Sequence, residues 1–332
     1  MIKWGIIGLG NISNKFVNAI KEVDNSKIVA VSSLTKKKNS ELIKNLNIEE
    51  NLFFSNYDEL LNCKDIDAVY IATLNNTHLD LAIKSIKAKK NILCEKPITL
   101  NFKEAEKIKK ELVNSDITFS EAFAYRSHPQ TKELCKIIDE KEIGDIHSLE
   151  SSFGYNTKRI NPNSRIFNKK LGGGAILDVG CYPTSLSLLI ARTIKKDIDL
   201  NQFKLNNIKG NICETGVDDI AHADLTFDNK IVMKLNTSIR KHMINNCIIK
   251  GTKGKIVISS PWNPEKRSFF EVYTDQRYYK KFVNSDYSVY ASQIDMFAKK
   301  IQNKNLKDTM MEIDESLVNM RILDEWSKGL SK

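Results

Sequence analysis

Only six prolines and fourteen glycines punctuate the 332 residues, far below a collagen-like or low-complexity composition. Histidine is scarce, five in all, and none falls at metal-ligand spacing, so no metal is expected. The six cysteines, Cys63, Cys94, Cys135, Cys181, Cys213 and Cys247, are scattered and form no Cys-x-x-Cys pair. That argues against a disulfide framework and for reduced thiols in a cytoplasmic protein. Nowhere does the chain approach the ~20 uncharged apolar residues of a membrane helix, and no membrane partner is expected. The apolar run in MIKWGIIGLG is broken by glycines and lacks a small-residue cleavage site; it reads as a buried strand, not a signal peptide.

What is present is the composition of a globular protein, 41% apolar and 28% charged. The length suits two domains of roughly 120 and 200 residues. The formal charge of +10 comes from basic residues spread along a Lys- and Asn-rich chain. It favours anionic ligands in general, but no aromatic-studded basic module accompanies it, and nucleic acid is not an expected partner.

Up to residue 121, apolar runs alternate with amphipathic stretches. The runs are Trp4–Ile7, Ile28–Val31, Leu52–Phe54, Ala68–Ala72, Ile92–Cys94 and Ile117–Phe119; Ile12, Phe16, Val17, Ile20 and Val23 recur on one helical face. Continuous apolar strands between helices predict an α/β domain with a parallel sheet over residues 1–122. From 123 to 332 the pattern predicts an α+β domain with a largely antiparallel open sheet. Its helix near Pro129–Glu140 leads to a strand at Ile146–Gly154, then a basic loop over 155–171. Extended runs follow at Asp219–Phe227, Ile231–Ile239, Asn246–Lys250 and Ile256–Ser259, with turns at Asp228-Asn229 and Gly251–Gly254. Period-two alternation implies one exposed sheet face, and helical patterns near Tyr290–Ile301 and Met311–Trp326 close the chain.

The first strand runs into Gly8-Leu9-Gly10-Asn11-Ile12-Ser13, which opens the first helix. Glycines there admit a pyrophosphate against the helix N-terminus, and Ser13, in place of a third glycine, is small enough for close helix–strand packing. Dinucleotide binding is predicted. The second strand ends in Ser32-Ser33-Leu34-Thr35-Lys36-Lys37-Lys38, with no acid before Glu41. An acid there would hold the ribose diol, whereas hydroxyls and cations accept a 2′-phosphate. Ser33, Thr35 and Lys36 therefore favour NADP over NAD, unless the lysines are only a solvated helix start.

Two further stretches stand at the carboxyl ends of later strands, where open α/β sheets bind ligands: Thr73-Leu74-Asn75-Asn76-Thr77-His78 and Glu95-Lys96-Pro97. A third, GGGAILDVGCYP (172–183), sets Asp178 and Tyr182 four apart and weakens its own helix with Pro183. Residues four apart share a helical face, and Pro183 removes a backbone bond around Val179, a defect more easily understood at a site than in a core. With GLGNI, the run DAVYIAT…H…NILCEKP resembles the glucose–fructose oxidoreductase / inositol dehydrogenase / rhizopine-catabolism (Gfo/Idh/MocA) family. EAFAYRSHPQ (121–130) and SRIFNKKLGGGAILDVGCYP (164–183) resemble its branch of dimeric dihydrodiol dehydrogenases, glucose–fructose oxidoreductase and sugar 3-ketoreductases.

The resemblance implies that the helix carrying Asp178 and Tyr182 faces the nicotinamide and that Lys96 reaches the same point. It also implies cofactor contacts from Gly8, Gly10, Asn11, Ile12, Ser33, Thr35, Lys36, Thr73, Leu74, Asn75, His78, Glu95 and Lys96, and a dimer or higher oligomer joined through the open sheet. Oxidising a secondary alcohol requires a group that takes the hydroxyl proton. A phenol, with a usual pKa near 10, is too weak a base at neutral pH unless a cation stabilises its phenolate. Tyr182 beside Lys96 answers that need, and either residue can be the immediate proton carrier. Asp178 then hydrogen-bonds substrate or holds Lys96. His78 is equally a packing residue at a helix start. Arg126 and Arg165 stand next to these motifs as candidates for the cofactor carboxamide or substrate hydroxyls, or as ion-pair arginines. Trp262 is either a substrate-side aromatic or a sheet-edge hydrophobe. The expected activity is NAD(P)-dependent transfer of hydride at a secondary alcohol or ketone of a sugar, cyclitol or diol. One rival is a nucleotide-sugar 3-ketoreductase whose substrate phosphates meet Lys158, Arg159 and Lys169; another is a non-catalytic dinucleotide sensor.

Overall fold

Strand β1 (Ile2–Ile7) is apolar on both faces and almost wholly buried, as a central strand of a covered parallel sheet must be. A computed structural model, which describes residues 1–34 and 52–330, places it between β2 (Ser26–Ser32) and β4 (Ala68–Ile71). With β3 (Phe53–Phe54), β5 (Asn91–Cys94) and β6 (Phe119–Glu121) they form a six-stranded sheet of order β3-β2-β1-β4-β5-β6, parallel throughout. Chain order reverses between β1 and β4, the position where such sheets bind ligands beyond their carboxyl ends. The dinucleotide-type parallel domain read from the sequence is therefore present. Strand β6 begins two residues later than the apolar run Ile117–Phe119 indicates. Glu121, charged yet buried, belongs to the strand because its N–H is donated to Met311 O at 3.0 Å and its carboxylate accepts the Ile98 N–H at 2.9 Å.

Helices α1 (Asn11–Ala19), α2 (Tyr57–Asn62) and α3 (His78–Lys87) lie between strands of this sheet. Trp4 packs edge-on to Phe16 of α1 at 5.2 Å between ring centres, and Phe16 stacks on Tyr70 at 4.1 Å. The same core contains Ala291, Ile294, Phe297 and Ala298 from a helix late in the chain, Val289–Gln302. The chain accordingly divides into two units that interleave in sequence, where a single boundary at residue 122 was expected. One holds residues 1–99, 103–127 and 286–314; the other holds 100–102, 128–285 and 315–332.

The second unit is built on an eight-stranded sheet of order β14-β13-β12-β11-β7-β10-β9-β8. Its strands are β7 (Ile146–Gly154), β8 (Phe203–Ile212), β9 (Asp218–Phe227), β10 (Ile231–Ser238), β11 (Cys247–Gly251), β12 (Gly254–Ile258), β13 (Arg267–Thr274) and β14 (Tyr278–Asn284). Every pairing is antiparallel except β7 with β10. In β9 every second residue is buried, from Asp219 to Phe227, so the sheet has one covered and one more open face. Strands β8, β13 and β14 escape the sequence reading. They carry charged or polar residues at most open-face positions, and β14 buries only Val283. In chain order the helices of this part are α5 (Pro129–Asp139) and α6 (Cys181–Ile194), following α4 (Phe102–Leu112); α7 is Val289–Gln302 and α8 is Ile313–Leu330. Ten residues of α6 are buried, which makes it the core helix of the unit.

Candidate functional site

In the first unit the turn after β1 reaches α1 through two glycines with different reasons for being glycine. Gly8 has φ +91°, and a Cβ there would sit 2.7 Å from Thr73 Cγ2 and 2.8 Å from Ala72 O. Only glycine lets this turn lie against the loop after β4. Gly10 is the N-cap of α1 in extended conformation (φ −91°, ψ −170°), and a Cβ on it would meet nothing nearer than Ala72 O at 4.0 Å. Nothing among the described residues excludes a side chain there. The space lies in front of the α1 N–H groups, whose end has no side-chain cap and no acid in its first turn. That combination fits an anionic phosphate. Asn11 is exposed and Ile12 half-buried beside it, while Ser13 is buried with its hydroxyl donated to Gly10 O at 2.6 Å.

The neighbouring strand ends arrive at the same edge of the sheet. Gly8 N–H is donated to Ser32 O at 2.9 Å, and the buried Ser33 donates its N–H to Phe54 O at 3.3 Å. Thr35 and Lys36, the other two residues proposed for a 2′-phosphate, lie outside the described residues. After β4, Thr73 and Thr77 join hydroxyls at 2.7 Å, Leu74 is 43% exposed and Asn75 is buried. His78 is fully buried at the start of α3; its Nδ1 lies 2.9 Å from Pro97 O and its Nε2 3.3 Å from Thr73 O. It thus straps the loop after β4 to the loop after β5. In that second loop Glu95 is buried, accepting the Tyr70 hydroxyl at 2.5 Å and the Lys96 N–H at 3.3 Å. Lys96 is half-buried and its bond to Pro97 is cis. Arg126 is fully buried in this unit, with Nη1 directed at Thr309 O at 3.4 Å.

In the second unit the segment 172–183 does not form one regular helix. Gly174, at φ +115°, lies so close to Asp218 that a Cβ would overlap Asp218 Oδ1. The other carboxylate oxygen of Asp218 accepts the Ile176 N–H at 2.6 Å. The chain then makes a π-turn, Ile176–Gly180, and passes into α6. Pro183, two residues into α6, has no N–H to give to the turn behind it, and π-turns inside helices are frequent at functional sites. Thr237 of β10 donates to Ala175 O at 3.2 Å, so two strands fix the turn from below.

Asp178, in the π-turn, is buried. Its Oδ1 accepts from Arg165 Nη2 at 2.9 Å and its Oδ2 from the Tyr155 hydroxyl at 2.5 Å. Tyr182, half-buried in the first turn of α6, packs edge-on to Phe153 at 5.0 Å and to Trp262 at 5.9 Å between ring centres. Trp262 stacks on Phe153 and donates Nε1–H to Ser152 O at 2.9 Å. Because Phe153 and Tyr155 stand two apart at the end of β7, the residues they touch, Tyr182 and Asp178, come to that one strand end. Arg165 and Trp262 therefore join Asp178 and Tyr182. The exposed Lys158, Arg159 and Lys169 lie on the preceding segment. Two participants, Tyr155 and Phe153, went unnoticed in the sequence; the signal available was their period-two spacing at the end of a predicted strand.

Burial, then the Asp178 charge, raises the Tyr155 pKa, with Arg165 partly opposing. The phenol stays protonated and acts as a donor. Burial likewise lifts Asp218 to about 6, although it accepts backbone N–H groups of Ile176 and Ala175.

Comparison with known proteins agrees with this fold. Residues 2–123 match the oxidoreductase family model described as an NAD-binding Rossmann fold, and residues 131–257 match the Gfo/Idh/MocA C-terminal domain. The trans-1,2-dihydrobenzene-1,2-diol dehydrogenase of Xenopus tropicalis is 31% identical over 79% of this chain and 77% of its own length. The mouse enzyme of that name is 26% identical over 99% and 97%. Among solved structures, a 3-ketoreductase from Actinomadura kijaniata, in complex with NADP and TDP-benzene, superposes with a TM-score of 0.85 at 21% identity over 99% of this chain and 98% of its own. An aldose–aldose oxidoreductase from Caulobacter crescentus, complexed with glycerol, gives 0.86 at 18% identity over 99% and 97%. The chain is a nicotinamide-dinucleotide-dependent oxidoreductase and belongs to the Gfo/Idh/MocA family.

Proposed function

We propose that the protein is an NADP-preferring dehydrogenase or reductase acting on a secondary alcohol or ketone carbon of a sugar, cyclitol or diol. The observation that carries this reading is the gathering of a carboxylate, Asp178, and a phenol, Tyr182, at one end of β7. A bound nicotinamide supplies or accepts the hydride. Tyr155 is engaged as a donor to Asp178, and the role of proton carrier is assigned to Tyr182. In oxidation Tyr182 takes the substrate hydroxyl proton; in reduction it returns a proton to the developing alkoxide. Lys96 serves as the cation that lowers the cost of the phenolate and of the alkoxide. Asp178 accepts a hydrogen bond from a substrate hydroxyl. The diol named in the relatives and the aldose named for one structural neighbour both fall in this substrate class.

Tyr182→Phe and Lys96→Ala are each expected to lower turnover at least ~100-fold, the scale of lost acid–base catalysis. The measurement is nicotinamide absorbance with a panel of polyols, aldoses and diols, and near-normal turnover in both variants overturns the assignment. A nucleotide sugar as substrate has one observation in its favour, the exposed Lys158, Arg159 and Lys169 next to Arg165. Competitive inhibition by a free nucleoside diphosphate would support it. We also read the protein as a homodimer or higher oligomer. The open sheet carries exposed Phe269, Tyr278 and Phe282, and light scattering on the full chain tests this.

A further inference from the structure

Tyr155 belongs to none of the motifs that mark the family in this sequence, and the reaction as proposed assigns it no proton. It stands just beyond β7, where its own N–H is donated to Ser238 O at 3.0 Å and its ring packs in the small core of Phe167, Ala175, Val179, Val217 and Ile239. Its hydroxyl reaches Asp178 Oδ2 while Arg165, from the loop on the other side of the π-turn, reaches Oδ1. Two donors from different segments, one on each oxygen, fix the plane of the carboxylate. Rotation about its Cβ–Cγ bond would break one bond or the other. A carboxylate offers about four lone-pair directions, and pinning two of them settles where the rest point.

The geometry points to Tyr155 as a positioning residue that, acting through Asp178, aims the acceptor directions of that carboxylate at a hydroxyl of the substrate. This rests on the reading of Asp178 as the substrate-facing acid. Tyr155 does not touch the reacting atoms. It sets substrate affinity because an aimed acceptor binds a hydroxyl in ground and transition states alike, and such uniform binding appears in KM, leaving kcat nearly unchanged. A charge-assisted bond of this kind is strong enough to move affinity by about tenfold or more.

The test is a double-mutant cycle of Tyr155→Phe and Asp178→Asn in the full chain. It is assayed with NADP and with trans-1,2-dihydrobenzene-1,2-diol, D-xylose and D-glucose as probes, using whichever is turned over best. Tyr155→Phe is expected to raise the probe's KM at least ~10-fold with kcat within about threefold and the KM for NADP unmoved. In the Asp178→Asn background the same change is expected to add less than about twofold. An equal effect in both backgrounds, or an unchanged KM, overturns the proposal. Melting temperature gives an arm that needs no substrate: loss of the Tyr155 hydroxyl lowers it more beside Asp178, whose bond is charge-assisted, than beside Asn, and additive losses sink the idea. The two readings fail differently. If Asp178→Asn alone leaves KM at the wild-type value, Asp178 does not face substrate and both fall; if it raises KM while Tyr155→Phe does not, only the role of Tyr155 falls.

Discussion

Both ring nitrogens of His78 face backbone carbonyls, Pro97 O and Thr73 O, a placement suited to spacing two loops. Replacing it by Phe keeps most of the ring volume and leaves the carbonyl that the imidazole N–H serves short of a donor. The expected result is a stability loss of about 1–3 kcal/mol together with a raised KM for NADP, read by denaturant titration and by cofactor titration of one preparation. A variant that weakened NADP binding with no loss of stability would instead put the imidazole on the cofactor itself. At this scale the sequence was legible where chemistry leaves a distinctive spacing. Gly8 and Gly10 were found because turn and helix start adjoin, and Asp178 and Tyr182 because they stand four apart. Tyr155 was not, since a lone tyrosine after a strand looks like any packing residue until its hydroxyl is seen 2.5 Å from Asp178. Arg126 and Arg165 looked alike in sequence. They differ in the fold because one is fully buried in the first unit and the other, 38% exposed along its side chain, pairs with Asp178.

The segment that carries Asp178 is held at its start by a carboxylate from another element. Asp218 of β9 accepts the Ile176 N–H, and Gly174 makes room for its other oxygen. Around it are the backbone N–H groups of Ala175 and Ile176, which favour its charge, and Asp219, which opposes it; burial dominates and raises it from 3.8 to about 6. An acid whose folded-state pKa is raised keeps its proton in the folded state after losing it in the unfolded one. Stability from this group is therefore full below about pH 4 and is lost as pH rises through about 6. The span corresponds to a fall on the order of 3 kcal/mol, level above that range. Asp218→Asn keeps an acceptor oxygen but cannot ionise. Its stability relative to wild type is expected to improve progressively between pH 4 and pH 7 and then run parallel, whatever constant offset the amide introduces. Denaturant midpoints across that range check it, and parallel curves throughout would show that Asp218 is not ionising there. Pro183 in the sequence signals an irregularity near Val179, and the π-turn Ile176–Gly180 is that irregularity. The cap was not legible, because β9 is 42 residues away in sequence from the N–H group it serves.

For the whole molecule, the sequence yields both sheets but places the division between them at one point, because strand–helix alternation ends near residue 122 and period-two strands follow. Alternation records which elements neighbour one another along the chain; it does not record a later helix returning to an earlier core. Helix α7 does return. Ile294 and Phe297 are fully buried in the core that holds Trp4 and Phe16, with ring centres of Trp4 and Phe297 5.5 Å apart. Asn25 Nδ2 donates to Asp295 Oδ1 at 2.7 Å, and Glu22 accepts the Ser288 N–H at 3.0 Å. Burying those two apolar side chains contributes about 3–6 kcal/mol, comparable with the net stability of a whole domain. A chain ending at residue 127 contains every strand of the parallel sheet and all the glycines of the nucleotide turn, yet leaves Trp4 and Phe16 uncovered. It is expected to melt without a cooperative transition and to show no NADP binding by calorimetry. The same chain joined through a flexible linker to residues 286–314 is expected to melt cooperatively and to recover binding. If the shorter chain alone melts cooperatively and binds NADP with the affinity of the full protein, α7 is an ornament on the first unit and its place in that core carries no stability.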